Sequence, residues 1–218
     1  SLPARAPQVP GLELAGFNAS CRTVGGDYYD FLAYPDGRVA VMVGDVCGKG
    51  MPAALLMMGL QARVQVLAAE PNPPAVVVDR LNRVLTAAAL NTRFISFFFA
   101  LFDPPSGELT YSNAGHNPPL LIRASGKVEW LTGGGPVLGI VPDACYEEVR
   151  CVLDSGDVAV LYSDGVTDAT NAQDEDFGEA RLSKVLQLVH HDSADSILST
   201  LTTAVKDWAG GTPAPDDI

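Results

Sequence analysis

Apolar positions recur with two different periods along this chain, and the switches between them divide it into blocks. Residues 12–45 read as strands: LELAGFNASC, then YYDFLAY, a turn at Pro35-Asp36-Gly37, and the apolar run VAVMVGD. Branched and aromatic side chains between turn formers favour extended backbone, because they pack well on a pleated surface. Helical signals follow. Pro52 stands where a first helical turn tolerates a missing N–H, and MPAALLMMGLQARVQVLAAE is apolar on most faces, which predicts a helix buried between layers. A second helix is predicted from Pro73 and Pro74, with Val77, Leu81, Val84 and Leu85 on one stripe.

Strand signals then return as FISFFFALFD, a turn at Pro105-Ser106-Gly107, ELTYSNAG, PPLLIR, a turn at Ser125-Gly126, and KVEWL. After Gly133-Gly134-Gly135 come YEEVRCVL and a strand expected to be buried, DVAVLYSD. Two helices close the chain, one with Leu182, Val185, Leu186 and Val189 on a face, the other with Ile197, Leu201, Val205 and Trp208. Strands grouped with strands and helices with helices predict α+β layering, with two packed, mainly antiparallel sheets flanked by helices. The first eleven residues, SLPARAPQVPG, carry three prolines and read as a linker or N-terminal extension, leaving 12–218 as one domain. The end, PAPDDI, reads as a domain cut just before its last strand.

Composition narrows the function classes. With 47% hydrophobic and 18% charged residues, 218 residues can bury a substantial core. No apolar run reaches the length of a membrane span. A formal charge of -12 argues against a nucleic-acid surface, which needs clustered Lys and Arg, and suits a site that gathers cations. Cys21, Cys47, Cys145 and Cys151 form no CxxC pair, so they read as reduced thiols of a cytoplasmic protein.

The chemistry concentrates in acids. VAVMVGDVCGKG and VAVLYSDGVTD each deliver an Asp at the end of an apolar run, Asp45 and Asp164. A buried carboxylate costs several kcal/mol unless it is paired, hydrogen-bonded or on a metal. Asp-Gly after a strand is also a common turn, but the repetition, with further acids in GGDYYD and PDDI, favours a shared cation site. Oxygen donors select Mg²⁺ or Mn²⁺ over zinc. His116 in SNAGHNPP is expected to be a hydrogen-bonded turn or core residue, and His190 and His191 to close a helix. Neither GDVCGKG nor TGGGPVLG fits a phosphate-binding loop, so Lys49 is expected in a loop leading into a helix, with at most a weak attraction for phosphate. A Ser163 or Cys47 nucleophile is disfavoured, since no GxSxG elbow is present and nearby carboxylates raise a thiol's pKa.

Taken in order, VGGDYYDF, GDVCGKGMPAALLM, YSNAGHNPPLL, LYSDGVTDA, FGEARL and the terminal DD resemble the SpoIIE/RsbU-like branch of the metal-dependent (type 2C) serine/threonine protein phosphatases, from about Leu12 to Ile218. The resemblance implies an α-β-β-α sandwich and two divalent cations, Mn²⁺ or Mg²⁺, that activate water against a phosphoester. Asp45 then matches the acid bridging both metals, with the Val46 carbonyl beside it, and Asp164 an acid on the far side. Asp216 matches a remaining ligand, Asp217 its neighbour or substitute, and Asp27 an acid holding metal-associated water. Asp168 is placed in an outer layer or on an additional weak metal. Arg22 matches a phosphate-gripping residue, its planar fork suited to phosphate oxygens. Cys47 stands where many type 2C enzymes carry a candidate general-acid His, so leaving-group protonation has no assigned side chain.

The same resemblance implies a substrate: phosphoserine or phosphothreonine on an anti-sigma-factor antagonist of the STAS type, with an upstream sensor domain. Helices over about 51–70 and 74–90 would be its regulatory element. No nucleic-acid or membrane contact is expected, and a homodimer is left open. Two other readings stand beside this one: a catalytically silent module of the same fold that binds partners or relays signals, and a hydrolase of small phosphoesters.

Overall fold

The computed structural model describes residues 2–3, 5–88 and 93–218. Strands β1 (Tyr28–Ala33) and β2 (Val39–Val46) form a hairpin, and helices α1 (Met51–Leu67) and α2 (Pro74–Ala87) follow. Strands β3 (Ile95–Asp103), β4 (Glu108–Ala114), β5 (Leu120–Ile122), β6 (Val128–Trp130), β7 (Val149–Val152) and β8 (Val158–Val160) come next. A one-turn helix α3 (Asp164–Thr167) leads to α4 (Gly178–Val189) and α5 (Ala194–Ala209). One sheet has the order β1-β2-β3-β4-β7 and the other β6-β5-β8, and every pairing is antiparallel.

Side-chain alternation along the strands builds the layers. On β3, Phe97, Phe99 and Leu101 pack with Leu60, Val64, Val77 and Leu81 of α1 and α2, whereas Phe98, Ala100 and Phe102 face Leu121 and Leu131. On β5 the division is the same: Leu121 enters the space between the sheets, and Leu120 and Ile122 join Leu182, Leu186, Ile197 and Leu201 of α4 and α5. Three apolar interfaces therefore stack helix, sheet, sheet, helix, as period-2 strands with two buried faces require. Phe98 stacks on Tyr111 at 5.2 Å in the central one. Burying each such ring contributes about 2–3 kcal/mol.

Several expectations need correction. Residues 12–21 form no regular strand; within this segment Ala19 exchanges two backbone hydrogen bonds with Ile218, at 2.6 and 3.0 Å. Helix α1 is not sandwiched, for Met51, Leu55, Met58 and Val66 on its outer face are 60–75% exposed. Val84 also lies outside the core, and Val78 takes its place beside Val77, Leu81 and Leu85. The run expected as one buried strand shortens to the half-buried β8, because the chain turns into α3 at Asp164. Residues 89 and 90, the end of the second expected regulatory helix, lie outside the described residues.

Candidate metal centre

The alternation that builds the layers also aims the acids. On β2, Ala40, Met42 and Val46 pack toward α1, so Val43 and Asp45 face the space between the sheets. Tyr28 opens β1 opposite Gly44, and continuing that register by one residue brings Asp27 opposite Asp45. Asp164 arrives from the other sheet, just past β8, as the first residue of α3. Asp216 and Asp217 are carried in by the Ala19–Ile218 pairing. The acids meet where the two sheets open.

The interactions divide them into two kinds. Asp217 is buried and accepts the amide N–H of Cys21 on Oδ1 and of Gly26 on Oδ2, both at 2.7 Å, so its lone pairs are largely spent on backbone. Its main chain lies so close to Gly165 that a Cβ there would stand 1.8 Å from the Asp217 carbonyl oxygen. Only glycine fits that approach. Asp27 accepts the Ser163 hydroxyl at 2.6 Å. Burial raises the Asp27 carboxyl above the usual range; the Ser163 hydrogen bond opposes this, and the charges of Asp45 and Asp217 add to it. Burial likewise raises Asp45, with Asp164, Asp216 and Asp217 adding to the effect, and raises Asp164, with Asp168 and Asp216 adding.

Such a cluster is costly as it stands, because each carboxylate lowers the tendency of its neighbours to ionise. Divalent cations remove that cost. The donors that converge are oxygens: Asp27, Asp45, Asp164, Asp216 and the Val46 carbonyl, which faces Gly26, where an added Cβ would be 3.0 Å away. This set fits Mg²⁺ or Mn²⁺. Cys21 Sγ lies with Asp216 and Asp217 oxygens in a group whose ligand atoms are within 4.8 Å of one another. Burial, and then the Asp217 hydrogen bond, push this thiol's pKa up, away from the thiolate form that binds metal. Nothing in the sequence pointed to Cys21, which reaches the acids only through the loop that Asp217 holds.

The remaining candidates fall at the rim or outside the acid group. Arg22 is exposed, with a guanidinium nitrogen 3.9 Å from where a Gly50 Cβ would be. Lys49 lies in the loop before α1, where its ammonium meets Asp216 Oδ2 at 2.9 Å and the Pro215 carbonyl. Asp168 is exposed beside Thr167, whose hydroxyl lies 3.2 Å from Asp168 Oδ1. Cys47 Sγ accepts the Phe94 N–H at 3.1 Å and so is engaged by backbone. His116 is buried: Asn113 binds its main chain from both sides, Ser96 Oγ lies 2.7 Å from Nδ1, and the Tyr162 carbonyl 3.1 Å from Nε2. Nε2 must therefore carry the proton, leaving Nδ1 to accept from Ser96. Ser96 lies on β3 as the cross-strand neighbour of Asp45, so this histidine links the strand paired with that of Asp45 to the segment leading to Asp164.

An α-β-β-α sandwich with acids gathered between its sheets is the architecture of the type 2C phosphatases. The SiaA-PP2C domain of Pseudomonas aeruginosa superposes with a TM-score of 0.80 over 92% of this chain and 82% of that one, at 22% identity, a likeness of fold. The family model for stage II sporulation protein E (SpoIIE) matches residues 35–218, and the chain belongs to that family. It is 32% identical to the phosphoserine phosphatase RsbU of Bacillus subtilis over 165 residues, which are 75% of this chain and 49% of RsbU. It is 30% identical to protein IcfG of Synechocystis sp. in an alignment of length 212 that covers 85% of this chain and 33% of IcfG. The chain thus spans a third to a half of these relatives. Among the described residues, no helix is long and apolar enough to cross a membrane.

Proposed function

We propose that this domain is a Mn²⁺- or Mg²⁺-dependent protein serine/threonine phosphatase acting on a phosphorylated regulatory protein. The observation that carries the reading is the group of Asp27, Asp45 and Asp164, drawn from both sheets, buried or half-buried and all shifted toward protonation. Family membership and the phosphoserine phosphatase RsbU among the relatives support the same chemistry. When bound, two cations would activate the attacking water and neutralise charge on the phosphoryl oxygens. Asp45, between Asp27 and Asp164, is the candidate bridging ligand, with the Val46 carbonyl, Asp164 and Asp216 completing the set. Asp27, held by Ser163, orients water on the inner side. Arg22 at the rim offers a planar fork to the phosphoryl group. Asp217 is assigned to holding the Cys21–Gly26 loop, and Asp168 to the outer layer.

The finer reading names the substrate as phosphoserine or phosphothreonine on a STAS-type anti-sigma-factor antagonist, in a cytoplasmic protein with an upstream sensor domain. The likeness to the phosphoserine phosphatase RsbU supports the phosphoserine, and the antagonist, the location and the sensor domain follow only from the motif resemblance. Phosphate release from such a phosphoprotein should require Mn²⁺ or Mg²⁺, stop with EDTA, and fall about a thousandfold or more in Asp45→Asn and Asp164→Asn. Activity that survives EDTA and both substitutions would sink the two-metal reading. Cation binding without turnover of any phosphoprotein or small phosphoester would leave the silent module in its place.

A further inference from the structure

Lys49 is the one cation that forms an ion pair with the acid group among the described residues, and it does so at a carboxylate assigned above to metal. Its Nζ is 2.9 Å from Asp216 Oδ2 and also donates to the Pro215 carbonyl, contacts that span more than 160 residues of sequence. The lysine stands two residues before α1, between Gly48 and Gly50, whose φ angles of 97° and 74° are open to glycine and rarely to other residues. Both partners are about one-third exposed, so the pair forms at the mouth of the site and can open to solvent. Asp216 Oδ1 already accepts the Asp217 N–H at 3.0 Å, so a divalent ion at Asp216 would meet the ammonium at Oδ2, where two like charges on one oxygen repel each other.

We propose that Lys49 is a resident counter-cation that competes with a divalent ion for Asp216 and so weakens the cation position that would take Asp216, called the outer position for its place at the mouth of the site. The inference rests on the metal-centre reading above and adds a control to it. With the outer position empty, Lys49 neutralises Asp216 and ties the loop before α1 to the Pro215–Asp216 turn. Filling that position displaces the ammonium and releases the loop. Metal occupancy and the position of the α1 entrance are thereby linked through one side chain, and occupancy is held down at low cation concentration.

The test is calorimetric titration of the metal-free domain with Mn²⁺, comparing the parent with Lys49→Met, Lys49→Arg and Arg22→Met. Lys49→Met should tighten the weaker Mn²⁺ site about three- to fivefold, the upper part of the scale set by losing one exposed charge pair, and leave the tighter site within about twofold. Lys49→Arg keeps the charge and should stay near the parent. Arg22→Met removes a neighbouring cation that makes no ion pair with Asp216 among the described residues, so it measures the general effect of charge. A Lys49→Met change no larger than that of Arg22→Met overturns the inference. So does weaker inhibition by inorganic phosphate with unchanged Mn²⁺ affinity, which would make Lys49 a phosphate ligand. Absence of Mn²⁺ binding in the parent would remove the metal-centre reading and this inference together, whereas parental binding with an unchanged Lys49→Met variant removes the inference alone.

Discussion

Asp157 and Asp45 are both carboxylates at strand ends, one just before β8 and the other near the end of β2, yet their surroundings differ in kind. Asp157 takes Arg123 at 2.8 Å and the amides of Ala124 and Asp154 at 2.8 and 3.0 Å. Burial works to raise its pKa, but the Arg123 hydrogen bond and then the two amides outweigh that and hold it below the ordinary range. Asp45 has acids for neighbours, and burial followed by their repulsion drives it the other way. The fold completes the first carboxylate with its own donors and leaves the second among like charges, which a bound cation would relieve. That difference, more than acidity itself, separates structural acids from chemical ones.

The largest stability effect should come from breaking the completed group. Arg123 also binds Glu129 at 2.9 Å and the Val152 carbonyl, so Arg123→Met strands a covered Asp157 side chain at the β5–β8 edge. Urea denaturation should show a loss of about 2–3 kcal/mol, with Mn²⁺ affinity unchanged. An equal loss of Mn²⁺ affinity would show that the two acid groups are not independent.

A smaller effect of opposite sign is expected at Asp27. Its folded pKa lies above its unfolded value, so the folded state binds the extra proton, and the cost of ionising it is fully present at high pH and relieved as pH falls. His116 runs the other way: burial lowers it from 6.5 to about 4, so its contribution is complete above 6.5 and lost as pH falls toward 4. A single stability curve mixes the two, but the difference between Asp27→Asn and parent isolates the first. Without metal at neutral pH, Asp27→Asn should be more stable by about 1–2 kcal/mol, with the gain shrinking toward acid. In Mn²⁺ the gain should vanish or reverse. A variant no more stable than the parent without metal would mean that Ser163 already satisfies the charge.

These contrasts also show what the chain made legible. The strands of the larger sheet and four of the five helices among the described residues followed from periodicity and punctuation, because each buries a face through its own residues. α1 misled for a physical reason: an all-apolar helix predicts burial on all sides, and Met51, Leu55, Met58 and Val66 are left uncovered in this domain. Asp27, Asp45, Asp164 and Asp216 were named from motif order, and the fold brings them together. The different job of Asp217 was not readable, since it depends on amides of Cys21 and Gly26 almost 200 residues away. The Lys49–Asp216 pair was hidden by the same distance.

Asp168 tests where the chemical group ends. It is exposed, its carboxylate engages only the adjacent Thr167 hydroxyl among the hydrogen bonds described, and its charge adds to the repulsion on Asp164. A ligand would be expected to lack that freedom to reach solvent, while a neighbour acting through its field would be screened by water. Asp168→Asn should therefore change stability by less than about 0.5 kcal/mol, and weaken Mn²⁺ binding by less than about threefold, with the effect fading in 0.5 M salt, where exposed charges are screened. A salt-insensitive loss of tenfold or more would place Asp168 among the ligands and move the boundary of the cation site one helical turn beyond Asp164.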